Sequence, residues 1–315
     1  MIEYEELLRE TRAFRTLAAD KRAGSLNHCY LFLTEDTAAL DGLIRLAART
    51  VLCGADGCGV CNDCLRVEHG NHSAMQVCAD TKSDAVRAWM EWSFYAPNEG
   101  DYQVMILPRV DLVDARTQNL LLKTLEEPTR GVVFLLGAAQ ASAVLDTVKS
   151  RAKKLFVQPF SGETLAGILE DRVRDPQQID HIVACSAGSI ARAIALAQDA
   201  QFGQYYRSIA DVLRDMETSK QVVDMLSKLQ LTEQAMTCYL DIAEMMLRAV
   251  MRVHAGECSE QQEIRTLAKQ YNLATVVNVL ALIAKCRRKL IRHCKPDAVA
   301  DSLLMGILEV KYQCR

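Results

Sequence analysis

The chain has 315 residues, 50% of them hydrophobic and 24% charged, with a formal net charge of -3. That length exceeds what one hydrophobic core ordinarily serves, so two or three domains are expected, and the composition excludes intrinsic disorder. The near-neutral balance excludes a global field that gathers nucleic acid. No apolar run approaches the roughly 18 residues of a membrane span. The opening Met1-Ile2-Glu3-Tyr4-Glu5-Glu6 is acidic, unlike a secretory leader, so the expected location is cytoplasmic.

Residues 1–158 read as alternating helices and strands. An amphipathic opening helix leads to the apolar run Cys29-Tyr30-Leu31-Phe32-Leu33, then to a helix near 37–52 and a cysteine-rich stretch. The runs Tyr102-Gln103-Val104-Met105-Ile106-Leu107 and Gly131-Val132-Val133-Phe134-Leu135-Leu136 are short and apolar, suited to burial on both faces. Between them a helix from about Ala115 to Glu127 is stopped by Pro128, because the residue before proline is pushed out of the helical region. Such alternation predicts an α/β fold, a parallel sheet covered by helices.

After Pro159 the strand-like runs vanish and helical periodicity takes over. A second boundary is expected near Phe202-Gly203, after a small helical unit containing Ser186-Ala187-Gly188-Ser189. The expected segments are therefore 1–158, then a small helical unit 159–202, then a helical bundle 203–315. Repeats, low-complexity tracts and Gly/Pro/Ser-rich linkers are absent from the sequence.

Of twelve cysteines, four are crowded within a dozen residues: Cys53, Cys58, Cys61 and Cys64, separated by four, two and two residues. Glycine-containing turns at Gly54, Gly57 and Gly59 allow four thiolates to wrap one tetrahedral ion, so the 53–64 segment reads as a zinc module. An iron–sulfur cluster also accepts four cysteines. A redox pair from Cys61 and Cys64 would leave Cys53 and Cys58 unexplained, and His69 or His72 would be needed only if a sulfur were lacking. Four sulfurs close the shell, so the metal would hold the fold and do no chemistry. The scattered Cys29, Cys78, Cys185, Cys238, Cys258, Cys286, Cys294 and Cys314 read as small hydrophobes.

In a nucleotide-binding fold the turn after the first buried strand is a glycine-rich phosphate loop ending in lysine and serine or threonine. Here that turn is Thr34-Glu35-Asp36-Thr37-Ala38-Ala39-Leu40-Asp41, without glycine or lysine and with carboxylates that repel phosphate. Magnesium-holding acids are expected after the 102–107 strand, but Pro108 and Arg109 follow it. Gly137, Ala138 and Ala139 stand where a polar sensor would meet the terminal phosphate.

Gln118-Asn119-Leu120-Leu121-Leu122-Lys123-Thr124-Leu125-Glu126-Glu127-Pro128 resembles the asparagine-to-proline helix motif of bacterial clamp-loader subunits. Leu145-Asp146-Thr147-Val148-Lys149-Ser150-Arg151-Ala152 resembles their Ser-Arg-Cys motif, and Asn27-His28-Cys29-Tyr30-Leu31-Phe32 their first strand. The cysteine cluster falls where the zinc-bearing subunits carry theirs. Of those, the gamma/tau family would require an intact phosphate loop, so the resemblance is to the delta-prime family of the DNA polymerase III clamp loader. It is specific over roughly 26–160 and architectural beyond.

The resemblance implies an AAA+ nucleotide-fold domain at 1–158, a small all-α lid at 159–202 and an all-α collar at 203–315. It implies structural zinc on Cys53, Cys58, Cys61 and Cys64, and a nucleotide site that binds no ATP. The implied partners are gamma/tau and delta subunits in a pentameric ring and, indirectly, the sliding clamp and primed DNA in a nucleoid-associated replisome. It further implies that Arg151 is an arginine finger acting in trans on the ATP of a neighbouring subunit, a permanently charged planar fork suited to phosphoryl transfer. Ala152 departs from the family's cysteine.

Other features are read more plainly. Glu126 and Glu127 are solvated or capping groups. Trp89 and Trp92 fit packing in a helix with Val86. Arg192, after Gly188, stands where AAA+ lids place a second sensor arginine. Lys285, Arg288, Lys289, Arg292 and Lys295 are expected on one helix face opposite Ile283, Cys286 and Leu290, a basic stripe for solvent, a neighbouring subunit or phosphates. Two rival functions remain: an ATP-hydrolysing gamma/tau-type subunit, and a zinc-dependent DNA-binding module.

Overall fold

The structure, a computed structural model, describes residues 4–97, 99–257 and 262–313. The chain divides into two compact units, Met1–Ser161 with Gly188–Arg192, and Gly162–Ala187 with Ala193–Arg315.

The first unit is built from α1 (Glu5–Glu10), α2 (Arg12–Arg22), β1 (Cys29–Leu33), α3 (Thr37–Leu52), α4 (Asn62–Glu68), β2 (Met75–Val77), α5 (Ser83–Glu91), β3 (Gln103–Leu107), α6 (Ala115–Glu126), β4 (Val132–Ala138), α7 (Asp146–Arg151) and β5 (Lys153–Phe156). Five strands form one parallel sheet in the order β2-β3-β4-β1-β5, with Leu33 opposite Ala138 and Leu107 opposite Leu136. β1, β3 and β4 are buried along their whole length, which is why their sequences are apolar without alternation.

Successive strand residues still point to opposite faces. Tyr30 and Phe32 of β1 join Phe14, Leu17, Leu40, Leu43 and Ala47 of α2 and α3 on one side. Cys29, Leu31 and Leu33 join Trp89, Leu121, Leu125 and Val148 of α5, α6 and α7 on the other. The result is a sheet between two helical layers, the AAA+ type of nucleotide fold.

The opening helix expected from the sequence is two. Thr11 breaks it: its backbone is extended, its hydroxyl donates to the Leu8 carbonyl, and its Oγ1 accepts from the Phe14 N–H to cap α2. Trp92 also differs from its expectation. α5 ends at Glu91, and Trp92 begins a 3₁₀ turn and is 45% exposed, while Trp89 is buried and donates from Nε1 to the Gln76 carbonyl.

Beyond Phe160 every element is helical. These are α8 (Gly162–Leu169), α9 (Pro176–Ser186), α10 (Ile190–Gln198), α11 (Phe202–Asp215), α12 (Ser219–Lys228), α13 (Glu233–His254), α14 (Gln262–Gln270), α15 (Leu273–Ile291) and α16 (Pro296–Gln313). α13 is the axis of the second unit, burying Met236, Tyr239, Leu240, Ala243, Met246, Leu247 and Val250. Lys311 of α16 donates to the Leu213 and Met216 carbonyls, satisfying the end of α11 where the helix dipole favours a cation.

The expected basic stripe is shorter than the sequence suggested. α15 stops at Ile291 with Arg292 as its cap, so Lys295 lies in the turn beyond it, and Lys289 bonds Ser302. Ile283, Cys286 and Leu290 are buried as expected. No single helix among the described residues is long and apolar enough to cross a membrane. Cys258 and Cys314 lie outside the described residues.

Candidate functional site

Because all five strands run parallel, the turns after β1, β3 and β4 emerge along one edge of the sheet, where ligands of open α/β folds are held. Each of the three turns is filled from within. After β1, the Asp36 carboxylate is 5% exposed and accepts from the N–H groups of Ala38 (3.1 Å) and Ala39 (3.2 Å) at the start of α3. Its oxygens also accept from Ile190 (2.6 Å) and Ala191 (3.3 Å) at the start of α10.

After β3, Arg109 folds back on Asp111 through Nε (3.0 Å) and Nη2 (2.9 Å). Asp111 also accepts from the N–H groups of Ala139 and Gln140 beyond β4. Burial alone would raise the Asp111 carboxyl, but the Arg109 fork and the Gln140 N–H outweigh it and hold it below the usual range. Within the last residues of β4, a Cβ on Gly137 would stand 2.2 Å from the Pro108 carbonyl oxygen, so the ends of β3 and β4 close on each other as only glycine permits. The edge offers a phosphate neither a glycine-rich cradle nor a lysine, and its one arginine after β3 is already committed.

At the other end of α3 the four cysteines converge. Their sulfurs all lie within 4.8 Å of one another, with Cys53 3.8 Å from Cys58 and 3.6 Å from Cys61, and Cys58 4.0 Å from Cys64. A tetrahedral ion with metal–sulfur bonds near 2.3 Å requires sulfur–sulfur edges of about 3.8 Å. The cluster therefore fits such an ion as it stands, and it could hold one.

The Cys53 sulfur accepts from the Ala55 N–H and that of Cys61 from the Cys64 N–H, bonds that favour thiolates. Burial works against ionisation at Cys53, yet its donors bring that thiol down to about 6, while burial lifts Cys64 to about 12. The set thus holds protons unevenly, and metal binding would release those that remain.

Arg49 braces this turn. Its side chain is 4% exposed, and its Nη2 donates to the Gly57 carbonyl (3.0 Å) while both terminal nitrogens bind Glu5 (2.7 and 3.1 Å). Arg9 donates to the same Gly57 oxygen. Gly59 has φ +80, and a Cβ there would stand 2.7 Å from Arg49 Nη2, so glycine is what lets the guanidinium lie against the loop. His69 is exposed at the end of α4, and His72 lies outside the sulfur cluster with Nδ1 accepting from the Ala74 N–H.

The two motifs of α6 and α7 meet in space. Gln118, 1% exposed, donates from Nε2 to the carbonyls of Val113 and Ala143, and its Oε1 accepts from the Leu145 N–H, all at 2.9 Å. It therefore stitches α6 to the loop that launches α7. Arg151 ends α7, with its side chain 33% exposed, its Nη1 donating to the Thr147 carbonyl (2.9 Å) and its Nη2 paired with the Glu126 carboxylate of α6. Ala152 is packed in the second core layer.

Sequence reasoning missed Gln118 as a tether, Glu126 as the partner of Arg151 and Asp36 as a ligand for two helices. Only Gln118 carried a local signal, a polar residue on the buried side of a leucine-rich helix.

Comparison with known proteins fits this geometry. The family described as "DNA polymerase III, delta subunit" matches residues 9–161. A curated relative, "DNA polymerase III subunit delta'" of Bacillus subtilis (strain 168), is 24% identical over 95% of this chain and 96% of its own. Along nearly its whole length, then, the chain is similar to a DNA polymerase III clamp-loader subunit.

That end-to-end similarity is to a delta-prime protein. "DNA polymerase III subunit tau" of Escherichia coli (strain K12) is 25% identical but pairs only 62% of this chain with 33% of that protein. Among solved structures, the "Bacillus subtilis DNA clamp loader delta protein" is 11% identical over 94% of this chain and 99% of that one, with a TM-score of 0.38.

Proposed function

We propose that this clamp-loader subunit is a nucleotide-free platform that helps load the sliding clamp onto primed DNA, assembled with gamma/tau and delta subunits in a pentameric ring. The observation that carries the reading is the sheet edge filled by Asp36, by the Arg109–Asp111 pair and by the approach of Pro108 to Gly137. A subunit that hydrolysed ATP would need those positions for phosphate and magnesium. Structural zinc on Cys53, Cys58, Cys61 and Cys64 supports the same unit without chemistry, since four sulfurs leave no position for water.

Arg151 is the residue assigned to the neighbour's ATP. It stands at the end of a short helix whose start is fixed by Gln118, with a guanidinium reachable from solvent and held by the side chain of Glu126. A division into a nucleotide fold at 1–158, a lid at 159–202 and a collar at 203–315 accompanies the proposal.

The test is stimulated ATPase activity of the reconstituted gamma/tau, delta and delta-prime complex with clamp and primed DNA. Arg151→Ala should leave assembly intact and lower turnover by about tenfold or more. Unchanged turnover would remove the finger. Equilibrium binding of ATP by the isolated chain at micromolar concentration would remove the platform reading.

A further inference from the structure

An aspartate at the start of a helix ordinarily satisfies one or two N–H groups of its own first turn. Asp36 does that for α3 and then does the same for a second helix. Its Oδ1 accepts from Ala38, Ala39 and Ala191, and its Oδ2 accepts from Ile190 at 2.6 Å, across 154 positions of chain. The third amide of α10, that of Arg192, is taken by the Ser189 hydroxyl. One buried carboxylate thus faces the positive ends of two helices of 16 and 9 residues.

Asp36 itself is fixed. Its own N–H donates to Thr34 Oγ1, and the Thr34 N–H donates to the Ala138 carbonyl at the end of β4. The carboxylate therefore sits at the turn between the first strand of a parallel sheet and the helix after it. In nucleotide folds that turn delivers backbone N–H groups to a phosphate.

We infer that the Asp36 carboxylate is a built-in substitute for a bound phosphate group, and that it fastens residues 188–192 to the nucleotide fold permanently, with no ligand required. This deepens the reading of an empty nucleotide site and shares with it the premise that no phosphate enters this turn. Its consequence is different in kind. The segment carrying Ser189, Ile190 and Ala191 is held in one state by a covalently supplied anion, where a nucleotide would hold it only while bound. The Phe160 N–H to Gly188 carbonyl bond (2.9 Å) anchors the same segment from its other side, so loss of Asp36 should loosen 190–191 without releasing 188.

The experiment is hydrogen exchange on the full chain without nucleotide, resolved at Ile190 and Ala191 and referenced to Met105 and Leu135 in the sheet. In Asp36→Ala, exchange at 190 and 191 should rise on the order of tenfold or more, because charge-assisted bonds are the ones removed, while the sheet amides stay unchanged. Inorganic phosphate at tens of millimolar should then slow 190 and 191 again in the variant and leave the wild type unaffected, against sodium chloride of equal ionic strength as control.

If Asp36→Ala does not fold, Asp36→Asn retains one acceptor oxygen and should show the same direction with smaller size. Unchanged exchange at 190 and 191 in a folded variant overturns the fastening. Fast exchange that phosphate does not slow overturns the substitution for phosphate. Neither readout involves ATP, so the binding measurement that tests the platform reading stands apart from both.

Discussion

The tether at Gln118 yields the most exposed prediction. Gln118→Leu keeps nearly the same volume in a site that is 1% exposed, so no cavity confuses the result. It removes three bonds of 2.9 Å at once and leaves the Val113 and Ala143 carbonyls and the Leu145 N–H facing a hydrocarbon. Each buried group left without a partner costs about 1–3 kcal/mol, and carbonyls fall at the low end, so a total of about 3–5 kcal/mol is expected. The loss is concentrated where α7 begins, three residues before Val148 packs into the core.

The assay is urea unfolding followed by tryptophan fluorescence. Both tryptophans, Trp89 and Trp92, lie in the first unit, so the signal reports that unit alone. The midpoint should fall by roughly 1 M or more with an unchanged slope. Asn119→Ala on the exposed side of the same helix should move it within about 0.5 kcal/mol. If the two variants shift equally, Gln118 is an ordinary packed side chain and α7 is positioned by something else.

Three further outcomes are expected. Purified protein should carry one zinc per chain by elemental analysis, and stripping it with a chelator or with Cys58→Ser should lower the first unit's Tm by roughly 10 °C or more; an unchanged Tm would dismiss a structural metal. The Glu5 carboxyl is raised by burial but lowered further by Arg49 and Arg9, so its folded value lies below its unfolded one. Its contribution is complete above the unfolded value and is lost as pH falls below about 4.3, so Glu5→Gln should flatten that part of the acid-unfolding curve and leave neutral pH as the place of greatest loss. Glu126→Gln, removing an exposed ion pair, should keep the complex's ATPase within about twofold of wild type; a tenfold fall would make Glu126 the group that aims Arg151.

The parts of the fold legible in the sequence were those written in local pattern. The burial of β1, β3 and β4 on two faces produces uninterrupted apolar runs, and Pro128 fixes the end of α6 whatever surrounds it. The cysteine cluster was legible because chelate rings close only over short spacings. The break at Thr11 was less so, since a threonine mid-helix and a threonine cap differ only in where the hydroxyl goes. Trp92 was misjudged because the helix carrying Trp89 ends one residue before it. The partners of Asp36 and Arg151 lie 154 and 25 positions away, and side-chain pairing over such distances has no periodicity to betray it.

The pairing of Arg109 with Asp111 has one more implication, for the direction in which such a protein can change. Asp111 now serves two backbone N–H groups beyond β4 as well as its arginine, so replacing Arg109 with an acid would set two carboxylates side by side in a site that is 1% exposed on the aspartate side. Installing glycines and a lysine at 34–41 would leave that obstacle standing and would strip α3 and α10 of their shared cap. Each single step back toward a phosphate-binding turn is uphill until the others are taken. If the platform reading holds, a nucleotide pocket could be engineered into the chain only by changing all three turns together.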